Sequence, residues 1–285
     1  MESFQLKTHD GLTLNASCWS TDQNPLAAIL IIHGLGEHHH RYHHVAQYYT
    51  KKNIQVYSMD LRGHGKSEGK IGFSPSESAL QQDIESLLIK VREDFNDLPI
   101  ILYGHSMGGN LALNYLLHNP GKEISAAIIT SPWIKLTKAP TAIEVAMAGF
   151  VQKIFPSFHK SNGLDVNQLS RDKQVVADYQ EDPLVHNQIS VGLFHICHNN
   201  GINALEDASL LSTPTLLMHG TEDGITSPKA SEEFAKKAGD IVHLKLWDGY
   251  RHETHNELNY ESVLDYQYQW LVSMVNLESP DLKTP

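Results

Sequence analysis

Residues 100–109 read IILYGHSMGG, an apolar run that leads directly into a Gly-x-Ser-x-Gly sequence. The apolar side chains predict a buried strand, and the pattern from Met107 to His118 predicts a helix. A strand that turns at once into a helix needs a tight turn, and glycines on both sides relieve the crowding there. We therefore expect Ser106 at the carboxyl end of a strand and at a helix N-terminus, whose dipole favours developing negative charge.

Short apolar runs alternate with helical patterns on both sides of this unit. Runs that are apolar on both faces are typical of parallel strands covered by helices on two sides. A capping box at residues 74–77 (SPSE) predicts the start of one of these helices, with Pro75 at its first position. The predicted strands are residues 4–9, 12–19, 27–32, 54–60, 99–103, 126–130, 215–218 and 241–247. The sequence thus predicts an α/β fold with a mostly parallel sheet, helices on both faces and an opening hairpin around Asp10-Gly11.

The alternation of strands and helices breaks between residues 134 and 211, where the patterns are helical. We interpret this stretch as an inserted helical cap, so that residues 1–133 and 212–285 form the two parts of one core. The alternative is a second, independent helical domain, but strand patterns resume at residue 215. Residues 142–155 are apolar nearly all round, which predicts either the roof of a lipophilic pocket or a peripheral membrane contact; the two roles are compatible.

A serine nucleophile needs a base, and the base needs an orienting acid. In a fold with this strand–serine–helix turn, the three follow in the order serine, acid, histidine. Asp223 follows the strand at 215–218, with Glu222 as the alternative acid. His252 follows the last strand, with His255 as the alternative base. Because the base must be neutral, we expect activity to decline below about pH 6.5, the ordinary pKa of histidine.

Two backbone amides are expected to stabilise the oxyanion that forms in such a reaction. One is the amide of Met107, directly after the serine, and the other lies in the loop after the strand at 27–32. Gly34 and Gly36 flank Leu35 in that loop and allow its amide to point inward.

Taken together, these motifs resemble the monoacylglycerol lipase and lysophospholipase branch of the α/β-hydrolase fold. The matching stretches are HGLGEH at 33–38, RY at 41–42, DLRGHGKS at 60–67, GHSMGG at 104–109, His219-Gly220 with Asp223, and His252 with Glu257. The resemblance implies Ser106 as nucleophile, Asp223 as acid, His252 as base, and the amides of Leu35 and Met107 as the oxyanion donors.

The resemblance also implies a polar network of Glu37, Arg41, His105 and His255 that holds a glycerol-like head group. The alternative is a salt-bridge cluster that only fixes the loop. The implied function is a serine hydrolase of single-chain lipid esters, with monoacylglycerol as the expected substrate and no cofactor. The open alternatives are a small-ester carboxylesterase, a lysophospholipase, a thioesterase, a haloperoxidase-like enzyme, or a non-catalytic ligand receptor on the same scaffold.

The composition limits the classes of binding partner that we expect. The 33 acidic and 22 basic residues give a net charge of −11, and without a basic stripe nucleic acid is not an expected partner. We expect no obligate protein partner. Cys18 and Cys197 are far apart in sequence, and residues 1–7 lack a signal-peptide pattern, so we expect a cytoplasmic protein that contacts membranes transiently.

Two further motifs have alternative interpretations. The histidines of residues 38–44 include pairs at helical i, i+4 spacing, which suit a metal, but His-Glu-x-x-His and nearby cysteines are missing. We expect solvated or hydrogen-bonding histidines and no metal. Residues 60–65 are glycine-rich but lack phosphate-binding spacings, which predicts a packed loop that braces the site.

Overall fold

An eight-stranded sheet forms the centre of the protein in the computed structural model, which describes residues 1–120, 124–275 and 277. Its strands are β1 Glu2–Lys7, β2 Thr13–Trp19, β3 Ala27–Ile32, β4 Ile54–Met59, β5 Ile100–His105, β6 Ala126–Thr130, β9 Thr215–Gly220 and β10 Val242–Trp247, while β7 His159–Ser161 and β8 Gln188–Ser190 pair separately. The helices are α1 His43–Thr50, α2 Glu77–Asp94, α3 Met107–His118, α4 Ala142–Ile154, α5 Lys173–Glu181, α6 Val191–Glu206, α7 Pro228–Ala238 and α8 Tyr260–Met274.

The strand order is β1-β2-β4-β3-β5-β6-β9-β10, and every pair from β4 to β10 is parallel. The pairs of β2 with β1 and with β4 are antiparallel. Every residue of β3, β4, β5, β6 and β9 is buried, as strands covered on both faces should be. The predicted α/β class with a mostly parallel sheet is confirmed.

Helices cover the two faces of the sheet as two separate apolar clusters. In β3, Leu30 and Ile32 pack into the cluster that contains the buried side chains of α2, α3 and α7. Ile29 and Ile31 point to the opposite face, into the cluster that contains those of α1 and α8. The period-2 alternation of side chains in a strand accounts for this division.

The start of α2 differs from the capping-box prediction at residues 74–77. The N-cap is Ser76, whose Oγ accepts a hydrogen bond from the Ala79 amide at 3.1 Å. The Ser74 hydroxyl instead donates to the Ser76 carbonyl at 2.8 Å, so it does not cap the helix. Pro75 therefore lies before the helix and not at its first position.

The insertion, residues 131–214, connects β6 to β9 and contains α4, α5 and α6. It also contains the antiparallel pair of β7 and β8, which the sequence analysis did not predict. These strands have three residues each, too few to produce a recognisable alternation. In the predicted second part of the core, residues 276 and 278–285 lie outside the described residues. Within the described residues, no helix has both the length and the apolar composition needed to cross a bilayer.

The loop after β4 is packed and ion-paired. Arg62, whose side chain is 1% exposed, binds Asp83 through two hydrogen bonds of 2.6 and 2.7 Å. Nη1 and Nη2 also donate to Asp10, at 2.8 and 3.2 Å. Because two carboxylates saturate this guanidinium, the loop suits a brace better than a phosphate site.

Candidate active site

Ser106 occupies a strained turn between β5 and α3. Its backbone has φ 54° and ψ −115°, a region that residues other than glycine rarely adopt. The Ser106 amide donates to the Thr130 carbonyl at 3.0 Å, and its carbonyl accepts from the amides of Asn110 and Trp133, also at 3.0 Å. These bonds to three different segments hold the serine in the conformation that projects its side chain from the sheet edge.

Close backbone packing around the turn explains its glycines. A Cβ added to Gly108 would lie 2.1 Å from the Ile32 carbonyl oxygen, because α3 packs directly onto the end of β3. A Cβ added to Gly104 would lie 2.6 Å from the Gly108 carbonyl oxygen. The crowding predicted from Gly-x-Ser-x-Gly is therefore present on both sides of Ser106.

Asp223 and His252 are joined by a buried hydrogen bond. The Asp223 Oδ2 and His252 Nδ1 atoms are 2.7 Å apart, and Oδ1 accepts from the amides of Ile225 and Thr226 at 2.7 and 3.0 Å. The competing acid, Glu222, is exposed. His219 Nε2 also lies 2.9 Å from Asp223 Oδ2, so two imidazoles share this carboxylate.

The pairing sets the pKa values of both groups. Burial alone would raise the pKa of Asp223, but the two neighbouring histidines hold it well below its ordinary value of 3.8. Burial alone would lower the pKa of His252, but the Asp223 carboxylate outweighs burial and raises it above 6.5. The sequence analysis used the unperturbed value for this histidine, and the structure moves it upward.

Ser106 and His252 border the same cavity. Within the described residues, no direct hydrogen bond joins the Ser106 hydroxyl to the His252 ring. Catalytic hydrogen bonds of this kind are often long until substrate is bound. The imidazole is held from behind by Asp223, so its Nε2 is the nitrogen left for a proton transfer.

The Leu35 and Met107 amides are both unpaired within the described part of the chain. Leu35 follows β3 and lines the cavity beside Ser106. The neighbouring Gly34 amide is used differently, because it donates to Glu37 Oε1 at 2.6 Å. The two predicted donors are therefore available to an oxyanion. The Gly34 amide is not, because its hydrogen bond to Glu37 fixes the loop.

Of the four residues predicted to bind the head group, Glu37 and His105 line the cavity. Arg41 lies behind Glu37, to which it donates at 2.5 Å, and His255 stacks on the Tyr42 ring with centroids 4.9 Å apart. The His255 ring also meets His105 edge-on at 4.8 Å. Burial lowers the pKa of His105 and of His255 well below 6.5, so both are neutral at neutral pH.

Glu253 is a site residue that the sequence analysis missed. It lines the cavity next to His252, and its two oxygens accept from Arg41 at 2.7 and 2.8 Å. Burial would raise its pKa, but Arg41 holds the pKa well below the ordinary 4.5. Two signals were present in the sequence: an acidic residue directly after the predicted base, and an arginine in the predicted site without an assigned counter-ion.

A strap, residues 182–186, ties the insertion to the loop that carries Leu35. The His186 amide donates to the Gly36 carbonyl at 2.9 Å, and His38 Nε2 lies 2.8 Å from Asp182 Oδ2. Gly36 has φ 79°, and a Cβ there would lie 2.3 Å from the His186 carbonyl oxygen. Main chain thus packs on main chain at this point.

The cavity above Ser106 measures about 370 Å³ and has one polar and one apolar part. The polar part contains Glu37, His105, His252, Glu253 and, from α5, Tyr179; Lys138, Glu144, Lys160 and Asn162 of the insertion also line the cavity. The apolar part is lined by Trp133, Leu136, Leu164, Leu169, Ile189, Phe194 and Ile225. Such a cavity suits a molecule with one polar end and one hydrocarbon end.

The histidines of residues 38–44 do not converge on a point. His39 is buried and bonds Asp60 Oδ1 at 2.5 Å and Ser17 at 2.9 Å, while His43 accepts from the Trp19 indole at 2.9 Å. Among the described residues, no group of three histidine, cysteine or acidic side chains is placed to hold a metal ion. These rings serve as hydrogen-bonding partners of the packed loop.

Comparison with known proteins places this chain in a family. The model of the family described as serine aminopeptidase, S33 (Hydrolase_4) matches residues 23–259. A monoacylglycerol lipase of Mycolicibacterium smegmatis is 34% identical over 92% of this chain and 94% of its own length. An uncharacterized abhydrolase domain-containing protein of Dictyostelium discoideum is 37% identical over 93% of this chain, which spans only 28% of that relative.

A solved structure agrees with the sequence relatives. The crystal structure of the Paleococcus ferrophilus monoacylglycerol lipase superposes with a TM-score of 0.84 at 31% identity, over 92% of this chain and 99% of that one. This chain therefore belongs to the Hydrolase_4 family and is an α/β-hydrolase similar to the monoacylglycerol lipases.

Proposed function

We propose that this protein is a carboxylic ester hydrolase whose main substrates are monoacylglycerols. The observation that carries the proposal is one cavity bordered by Ser106, by His252, which Asp223 holds from behind, by carboxylates and by apolar side chains. Similarity to monoacylglycerol lipases that match nearly the full chain supports it.

The reaction follows from the positions of the side chains. Ser106 attacks the ester carbonyl while His252 takes its proton through Nε2, and Asp223 stabilises the charged imidazole. The Leu35 and Met107 amides stabilise the oxyanion, which typically contributes about 3 kcal/mol for each donor. His252 then protonates the departing alcohol and activates the water that releases the fatty acid.

The polar part of the cavity is the proposed place of the glycerol group. Glu37, Glu253 and His105 are the contacts, because they line the cavity. Arg41 and His255 do not line the cavity but support residues that do. Arg41 fixes the two carboxylates, and His255 packs between Tyr42 and His105. We propose that residues 134–211 act as a cap, since they supply most of the apolar wall.

Hydrolysis of a series of nitrophenyl esters tests the lipid assignment, together with glycerol release from a medium-chain monoacylglycerol. We expect the largest kcat/KM for medium or long acyl chains, because the apolar part of the cavity is filled only by such chains. The Ser106→Ala variant is the control for background hydrolysis. A maximum at the acetate ester would instead support a small-ester carboxylesterase.

We also propose that α4 makes a peripheral contact with lipid surfaces. Ile143, Met147, Phe150 and Ile154 follow one another at helical spacing, and each is more than half exposed. Of the apolar stretch at 142–155 only Glu144 lines the cavity, which favours a surface role over a roof. Flotation with phosphatidylcholine vesicles tests this: the double variant Met147→Ser, Phe150→Ser should lose binding, and equal flotation of both proteins would contradict it.

We propose a cytoplasmic location, since both Cys18 and Cys197 are buried free thiols.

A further inference from the structure

The carboxylate–arginine cluster consists of Glu37 and Glu253, which form a wall in the polar part of the cavity, and of Arg41, which lies behind them. We propose that this cluster makes the enzyme accept neutral and cationic alcohol groups and reject anionic ones, with Glu253 as a specificity-determining residue. This inference rests on the proposed function, because it concerns the alcohol part of the same ester substrate. It separates monoacylglycerols from their phosphorylated counterparts.

The two carboxylates of the cluster lie nearer the cavity than its guanidinium does. Glu37 and Glu253 line the cavity, whereas Arg41 stands behind them and does not. An incoming anion thus meets two carboxylates before it meets the guanidinium. Two negative charges against one positive charge leave the wall with an excess of one negative charge.

Both terminal nitrogens of Arg41 are already occupied by carboxylates. Its two terminal nitrogens bind both oxygens of Glu253, and Nη1 also binds Glu37. Its guanidinium lies over the Tyr179 ring, 4.7 Å from the centroid, which closes one face. A bidentate pair of this kind leaves little of the guanidinium for a phosphate.

Acidic side chains also lie behind the cluster, although Glu257 is paired with Arg171 at 2.9 Å and Asp182 lies 2.8 Å from His38. A second cavity of about 320 Å³ adjoins Arg41 and is lined by Asp172, Asp178, Asp182 and Glu257. Within the described residues, the lysines lining the active-site cavity are Lys138 and Lys160, both from the insertion. Lys160 lies over the ring of Phe194, 5.2 Å from its centroid, and Phe194 belongs to the apolar part. Among the residues that the structure describes, Glu37 and Glu253 form their ion pairs with Arg41 and with neither lysine, so neither lysine neutralises the excess negative charge of the cluster.

Hydroxyl groups fit this wall for the same reason that phosphates do not. Glycerol hydroxyls donate hydrogen bonds, and carboxylate oxygens accept them. A phosphate brings acceptors to acceptors and like charge to like charge, in a cavity where solvent screens poorly. The discrimination therefore comes from repulsion of the wrong substrate as well as attraction of the right one.

Three dodecanoyl esters that differ only in the alcohol test the inference: glycerol, glycerol 3-phosphate and choline. We expect the wild-type kcat/KM for the glycerol ester to exceed that for the phosphate ester about a hundredfold, with the choline ester well accepted. In Glu253→Gln the glycerol-to-phosphate ratio should fall about tenfold, because the wall loses its excess charge while its shape is kept. Glu232→Gln, which removes the same charge from an exposed position on α7, should leave the ratio unchanged.

Equal wild-type efficiency on the glycerol and phosphate esters would overturn the inference, as would an unaltered ratio in folded Glu253→Gln. If that variant does not fold, the wild-type ratio still decides. If the wild type hydrolyses nitrophenyl dodecanoate but not the glycerol ester, the proposed function fails on its own. Inhibition of nitrophenyl dodecanoate hydrolysis then tests the wall: dodecyl glycerol ether should inhibit more strongly than dodecyl phosphate, and equal inhibition would refute it.

Discussion

Replacing Gly108 by alanine is expected to impair catalysis far more than one methyl group would elsewhere. The new Cβ would lie 2.1 Å from the Ile32 carbonyl oxygen and 2.5 Å from that of His33, and neither backbone group can rotate away. Real Cβ contacts stay above about 3.0 Å, so α3 and the end of β3 must separate by about 0.9 Å. That movement displaces Ser106 and the Met107 amide relative to Leu35, which β3 holds in place.

A misplacement of about 1 Å in a catalytic constellation costs on the order of a hundredfold in rate. We therefore expect kcat/KM for a medium-chain nitrophenyl ester to fall about a hundredfold in Gly108→Ala. Overpacking of this kind costs about 1–3 kcal/mol of stability. At about 2 °C per kcal/mol for a chain of this size, Tm should drop by about 2–6 °C, so the assay at 25 °C reports on folded protein.

Gly149→Ala is the matched control, because it also replaces a helical glycine. A Cβ at Gly149 meets only the His195 ring at 3.7 Å, an ordinary contact. This variant should keep full activity and gain up to about 1 kcal/mol of stability, since alanine favours a helix over glycine. Gly108→Ala that retains more than half of the wild-type kcat/KM with an unchanged Tm would refute the packing argument.

Three further predictions follow from the site and its supports. Ser106→Ala should lower turnover by several orders of magnitude and abolish labelling by a fluorophosphonate; persistent labelling would point to another nucleophile. Because Asp223 raises the pKa of His252, and the base must be neutral, kcat/KM should fall as the pH drops through a value above 6.5; a pH profile whose acid limb lies below 6.5 would contradict this. Arg62→Met should destabilise the fold by about 3–5 kcal/mol in urea unfolding, because it leaves the fully buried Asp83 without its cation, and a loss under 1 kcal/mol would show that the pair is dispensable.

The sheet could be predicted from the sequence because its strands are short runs that are apolar on both faces, such as Ala27–Ile32 and Ile100–His105. The candidate acid and base were predicted from chain order, since Asp223 and His252 each follow a strand. These features are local, so a sequence records them directly.

Site residues whose position depends on a contact between distant parts of the sequence were missed or only partly predicted. Glu253 is buried because it meets Arg41, 212 positions earlier, and no local pattern contains that contact. The same pairing puts Arg41 behind the cavity wall, although its motif suggested direct contact with substrate. At the start of α2, two serines close in sequence could each cap the helix. The Ser74 hydroxyl donates to the Ser76 carbonyl instead, and Ser76 is the residue that caps the helix.

The contact between Gly36 and His186 limits how this protein can be recombined with its relatives. Its hydrogen bond joins two backbone groups, so exchanging the side chain at position 186 leaves it intact. A chimera that imports a foreign insertion must therefore reproduce the path of residues 182–186, and must keep glycine at position 36, to preserve the geometry around Leu35. The insertion and the catalytic core therefore have to be exchanged together. A chimera that combines them from different proteins without this backbone contact is expected to lose the position of the Leu35 amide.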